Sequence, residues 1–144
     1  MKKIVKITSL FLVALLFTIG VTPKAEAATT SWHSVSSYGS GCKVQGVTDS
    51  TTYKSGANTI DTYLKTNGKC RNMEFTISLD DLEGSGYSTM GELSGFFKNQ
   101  TGTKKFSLSK LKDINKGYSS PIKVQVWYTA GGVGFHSPTL SVYK

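Results

Sequence analysis

The chain has 144 residues, a formal net charge of +8 at pH 7, two cysteines, two histidines and one arginine, Arg71, among its 17 basic side chains. The lone arginine argues against nucleic-acid readout, which leans on guanidinium forks. Two histidines and two cysteines without a C-x-x-C pair leave a zinc site short of partners, and a chain of this length holds one domain.

Residues 1–27 read as a secretory signal peptide of bacterial type. Lys2, Lys3 and Lys6 form the cationic start, an apolar run extends from Leu10 to Val21, and Ala25-Glu26-Ala27 supplies the small residues that signal peptidase accepts. The expected mature protein is residues 28–144, a single secreted, extracellular domain of 117 residues. The leader takes four lysines and one glutamate with it, so 13 cationic side chains face 8 acidic ones, and the net charge falls to +5. That excess favours an anionic envelope polymer, an acidic polysaccharide or anionic lipid through long-range attraction.

Cys42 and Cys70 are the only cysteines. In an oxidising compartment they are expected to pair. The bridge closes a loop of about 29 residues and, in the chain-entropy description, contributes roughly 3 to 4 kcal/mol by restricting the unfolded chain.

Strand signals dominate the rest. Over residues 74–79, Phe75, Ile77 and Leu79 alternate with Glu74, Thr76 and Ser78, the period of a sheet with one buried face. Residues 122–128 send Ile122, Val124, Val126 and Tyr128 one way and Lys123, Gln125 and Trp127 the other. A third strand spans 140–143, and weaker candidates span 32–37, 43–48, 59–65, 95–98 and 104–108. Asn67-Gly68, the preferred pair of a type I′ turn, predicts a hairpin between flanking strands. Residues 99–102 are read as reversing Phe96-Phe97 into the 104–106 strand, and Gly131-Gly132 as joining the last two strands. Residues 80–87 read as a loop and 108–114 as a short helix. The expected fold is therefore all-β, an antiparallel two-sheet sandwich or small barrel of about seven or eight short strands with one disulfide.

No catalytic constellation stands out, and no enzyme activity, cofactor or metal is expected. Asp80, Asp81 and Glu83 offer oxygen ligands of the kind Ca²⁺ takes, but without the spacing of a known calcium loop. Gly39-Ser40-Gly41 and Gly84-Ser85-Gly86 are glycine-flanked serines, yet no G-x-S-x-G elbow accompanies His33 or His136. The stronger signal is aromatic. If Val124 and Val126 face the core, Trp127 faces outward beside Gln125 and Lys123, a flat apolar ring among amide and ammonium groups, which is how sugar rings and protein partners are bound. Tyr53, Tyr63, Tyr87 and Tyr118 are candidates to extend that surface.

The favoured reading is a secreted, non-catalytic binding protein of the bacterial envelope or extracellular matrix. Its ligand site is Trp127, Gln125 and Lys123, and its partner an envelope polymer, a polysaccharide or an extracellular protein. One rival is a membrane-active toxin or bacteriocin that dips Val133 and Phe135 of the Gly131-to-Phe135 loop into lipid. Another is an inhibitor of an extracellular enzyme with a reactive loop stiffened by the disulfide.

Overall fold

The computed structural model describes residues 26–83 and 90–144. Most of the stretch read as a leader and residues 84–87 of the segment read as a loop, with Ser85 and Tyr87, lie outside the described residues, while residues 80 and 81 of that segment belong to a strand. Eleven strands and one short helix follow in chain order: β1 (Ala28–Thr29), β2 (His33–Ser34), a 3₁₀ turn (Ser36–Tyr38), β3 (Lys43–Thr48), β4 (Thr52–Tyr53), β5 (Thr59–Thr66), β6 (Met73–Asp81), β7 (Leu93–Phe97), β8 (Lys104–Ser107), α1 (Leu108–Ile114), β9 (Ile122–Ala130), β10 (Val133–His136) and β11 (Leu140–Val142).

They build the expected two-sheet sandwich. One sheet has the order β1-β3-β5-β8, with β2 also on β3; the other has the order β4-β11-β9-β6-β7, with β10 also on β9. All pairings are antiparallel except β11 with β4. The strand count exceeds expectation because β1 and β4 are two-residue pieces, too short for alternation to register in the sequence, and because β10 occupies residues read as part of a connection.

The alternating residues meet between the sheets. Ile60, Leu64 and Phe106 from one side face Met73, Ile77, Leu79, Ile122, Val124, Val126 and Leu140 from the other, all buried. Tyr128 sits among them without exposure; its hydroxyl lies 2.6 Å from Thr62 Oγ1, and burial pushes its pKa far up. Gly46 of β3 makes room for that ring, since a Cβ there would fall 2.4 Å from Tyr128 Cε2. Helix α1 forms as expected. Ser107 accepts the Lys110 N–H at its start, Leu108 and Leu111 are buried, and Asn115 caps its end through a 3.2 Å bond to the Leu111 carbonyl.

Three turn expectations need correction. Gly131-Gly132 joins β9 to β10, which pairs antiparallel with it, rather than to the last strand, β11. The chain after Asn67-Gly68 does not fold back on β5, because both edges of β5 are taken, by β3 and β8, and the next strand, β6, belongs to the other sheet. Gly68 has φ +81°, but Asn67 lacks the positive φ a type I′ turn needs. Its side chain instead accepts from Lys43 N and Lys69 N and donates to the Gly41 carbonyl, drawing the chain toward the Cys42–Cys70 bridge. Residues 99–102 likewise carry the chain from one sheet to the other rather than closing a hairpin. They lie along β5, where Thr101 Oγ1 accepts from Leu64 N at 3.0 Å.

On the outer face of the five-stranded sheet, Asp61 pairs with Lys105 at 2.6 Å. Partial burial pushes the Asp61 carboxyl up, but the hydrogen bonds from Lys105 and Thr59, with the Lys105 charge, outweigh it and hold it below 3.8. A carboxylate with a depressed folded pKa stabilises the fold above its unfolded value and loses that contribution as pH falls through the folded one. Asp61→Asn is thus expected to flatten the acid limb of the stability profile by less than about 1 kcal/mol, Lys105 being well exposed. Urea unfolding at neutral pH and below the aspartate range checks it; an acid limb as steep as the parent's would refute it.

Candidate functional site

The outward side chains of β9 form a row on a broad face. Lys123, Gln125, Trp127 and Thr129 alternate with fully buried neighbours. Across the strand lie Asp80, Ser78 and Thr76 of β6, and on the other side Ser141 of β11 and His136 and Gly134 of β10. Trp127 does not stand off the sheet. Its indole lies over Gly134, where a Cβ would fall 2.5 Å from the ring, and its centroid is 4.4 Å from that of His136. The small residue beneath lets the ring lie down, and it remains half-buried.

Polar groups around the indole are held in place. His136 Nε2 is 3.0 Å from Asp80 Oδ2, linking β10 to β6 over the middle strand. Gln125 Nε2 donates to the Ser137 carbonyl at 3.3 Å and to Thr139 Oγ1 at 3.4 Å, and Lys123 Nζ donates to Ser141 Oγ at 2.7 Å. Trp127, Gln125 and Lys123 thus share one face, as the alternation implied. The Asp80–His136 pair escaped sequence reading because its members are 56 residues apart. Tyr143, at the end of the strand read over 140–143, continues the in-out alternation of Leu140 and Val142 and is exposed.

Other candidates scatter. Asp80 and Asp81, neighbours on a strand, project to opposite faces. Asp81 accepts from Asn115 Nδ2 at 2.5 Å and from Glu83 N at 3.0 Å, so the acidic trio does not converge on a common point. His33 stacks on Phe135 at 4.0 Å, and its Nε2 is 3.4 Å from Ser31 Oγ. Tyr53 does not extend the aromatic surface: it is buried, and its hydroxyl donates to Asp49 at 2.6 Å, burial first and then this bond pushing its pKa far up. Tyr63 lies on the outer face of the opposite sheet, across from Val47, and Tyr118 follows α1.

The Gly131-to-Phe135 segment is a correction as well. It is a tight turn, with Gly131 at φ +54° and Gly132 at φ +80°, and it is docked: a Cβ on Gly131 would strike Val35 and Tyr38. Phe135 is buried against Tyr128, and Val133 packs on the core. The two side chains that a lipid-dipping tip required are turned inward. Tyr38 is itself fixed by a 2.6 Å bond to Glu74, which raises the phenol pKa and lowers that of the carboxyl. The Cys42–Cys70 loop holds β3, β4 and β5, so the bridge staples strands rather than a free reactive loop.

The profile of the YqgA MG2 macroglobulin domain family matches residues 25–137. The chain belongs to that family. A macroglobulin-type domain is a β-sandwich, in agreement with the two sheets found here. A relative from Bacillus subtilis (strain 168), named cell wall-binding protein YqgA, is 43% identical over 107 residues, covering 72% of this chain and 73% of the relative. No solved structure matches. Among the described residues, no helix is long and apolar enough to cross a membrane.

Proposed function

We propose that the chain is a secreted, non-catalytic protein of the bacterial envelope that binds a cell wall polymer on the outer face of its six-stranded sheet. The observation that carries this reading is the indole of Trp127, laid flat on Gly134 among fixed hydrogen-bonding groups. A half-buried ring braced by Gly134 and His136 offers its remaining surface to a sugar without reorganising, and polar side chains already in position make binding less costly in entropy. Gln125 offers an amide and Lys123 an ammonium to hydroxyls or anionic groups beside the ring. The relative's name points to the same class of partner. The signal-like residues 1–27 and the Cys42–Cys70 bridge fit export to an oxidising compartment.

The test is co-sedimentation of residues 28–144, disulfide intact, with isolated Bacillus walls over a range of salt. The unaltered protein is expected to pellet with walls even at salt that screens the net charge. Trp127→Ala is expected to lower the affinity by roughly tenfold or more, as loss of a central aromatic anchor does, with little change in melting temperature. Equal pelleting of the variant and the parent would overturn the reading.

A further inference from the structure

The outer face that carries Trp127 does not end at Lys123. Ser141 opposes Lys123 on one side and Thr52 on the other, so the three form a rung across β9, β11 and β4. The next residues of β4 and β11, Tyr53 and Val142, are paired and buried. One step further, Lys54 and Tyr143 return to the outer face, where Thr52, Lys54, Ser55, Tyr143 and Lys144 line an open cleft of about 460 Å³. Tyr143 is 43% exposed and forms its aromatic wall. Four residue steps separate Trp127 from Lys123 and two more separate Ser141 from Tyr143. At strand rise, the two aromatic rings therefore stand about 20 Å apart along one face.

The two ends differ in charge. Around Trp127 the groups are neutral or paired, Asp80 being matched by His136. Around Tyr143 the charged side chains are cationic and in no ion pair. Lys112 Nζ donates to the Ser55 carbonyl at 2.9 Å, Lys144 Nζ donates to the carbonyls of Asn115, Lys116 and Tyr118, and Lys54 has no ion pair. The ion pairs among the described residues are Lys105–Asp61 and His136–Asp80, so none of Lys54, Lys112, Lys123 and Lys144 is in an ion pair, and in the 28–144 protein the terminal carboxylate of Lys144 is one negative charge against these four ammonium groups. Neutral carbonyls and hydroxyls orient these ammonium groups without cancelling their charge. The acid on the neighbouring helix is Asp113, exposed and in no ion pair among the described residues.

We infer that Trp127 and Tyr143 are the two ends of one extended groove that holds a single strand of a phosphodiester-containing wall glycopolymer, sugars on the aromatic rings and phosphates along Lys123 and Lys54. The inference rests on the wall-binding reading and specifies its ligand. Lysine binds a phosphodiester as a point charge on a flexible stem, without the base-reading geometry that an arginine fork supplies, which suits a repeating polymer whose phosphates need no sequence readout. Two sites on one face also make the second contact intramolecular once the first is formed, so a strand that reaches both binds more tightly than either site alone predicts.

The experiment compares residues 28–144 with Lys54→Gln, Tyr143→Ala, Tyr143→Phe and Trp127→Ala, by co-sedimentation with intact Bacillus walls and with the same walls stripped of phosphodiester polymer by acid extraction. Thermal melting of each variant serves as the fold control. Lys54→Gln is expected to weaken binding to intact walls about two- to fivefold at low salt, the difference closing at high salt and vanishing on stripped walls. Tyr143→Ala weakens binding to intact walls, while Tyr143→Phe retains it. The inference is overturned if Lys54→Gln and Tyr143→Ala bind intact walls as the parent does, or if the Lys54 effect is the same on stripped walls. In either case a loss with Trp127→Ala leaves the wall-binding reading standing, whereas full binding by Trp127→Ala removes both.

Discussion

Cys70→Ser, or reduction of the bridge in the unaltered chain, is expected to lower the free energy of unfolding by about 3 to 4 kcal/mol, within the range seen when small secreted domains lose a native disulfide. The two cysteines are 28 residues apart and joined just ahead of β3 and just after β5. Cross-linking these points forbids the open unfolded chain from separating the ends of the β3–β5 pair. Both half-cystines are buried, so serine also places a hydroxyl in an apolar corner. Because net stabilities of such domains are only about 5 to 15 kcal/mol, the reduced protein is expected to unfold at markedly lower urea concentration. Urea titrations with and without reductant measure this directly. A midpoint that moves by the equivalent of less than about 1 kcal/mol would show that the bridge lies outside the cooperative unit.

Gly46→Ala is expected to cost about 3 kcal/mol, the upper end of what overpacking usually costs. The added methyl would lie 2.4 Å from Tyr128 Cε2 and 2.6 Å from Cζ. The ring has nowhere to retreat: it is buried, its hydroxyl is engaged with Thr62, and Phe135 stacks on it at 5.4 Å. The explanation makes a second claim that chemical denaturation can check. In a background where Tyr128 is replaced by leucine, the alanine should cost much less than in the parent, since the atoms it strikes are gone. Additive losses in the double variant would place the damage in the backbone of β3 instead.

Much of the architecture could be read from alternation, because a strand with one buried face writes its orientation into every second residue. Residues 43–48 were delimited as observed, the strand read at 122–128 extends to 130, and the outward position of Trp127 followed from the buried row of Val124, Val126 and Tyr128. What alternation does not carry is partner choice. Asn67-Gly68 specified a change of direction correctly, but the strand that follows crosses to the other sheet, and the covalent pull of Cys70 toward Cys42 decides its course. Likewise, Asp80 and Asp81 looked like one cluster, whereas the pleat of β6 sends them to different sides. The site itself was half legible. Its β9 row came from period two, while His136 and Gly134 came beside Trp127 only through strand order, which no local pattern reveals.

The position of β11 bears on how the chain is made. It lies between β9 and β4, the latter more than eighty residues earlier in the sequence, and this is where the six-stranded sheet closes. A ribosome delivers β11 after every other strand, so a nascent chain holds β4 without its neighbour and β9 with an open edge until synthesis of the domain is nearly finished. Closure that depends on such distant segments is slow compared with local structure formation. The order of the strands thus leaves the six-stranded sheet, and with it the sandwich core, incomplete until the last strand of the domain has been made.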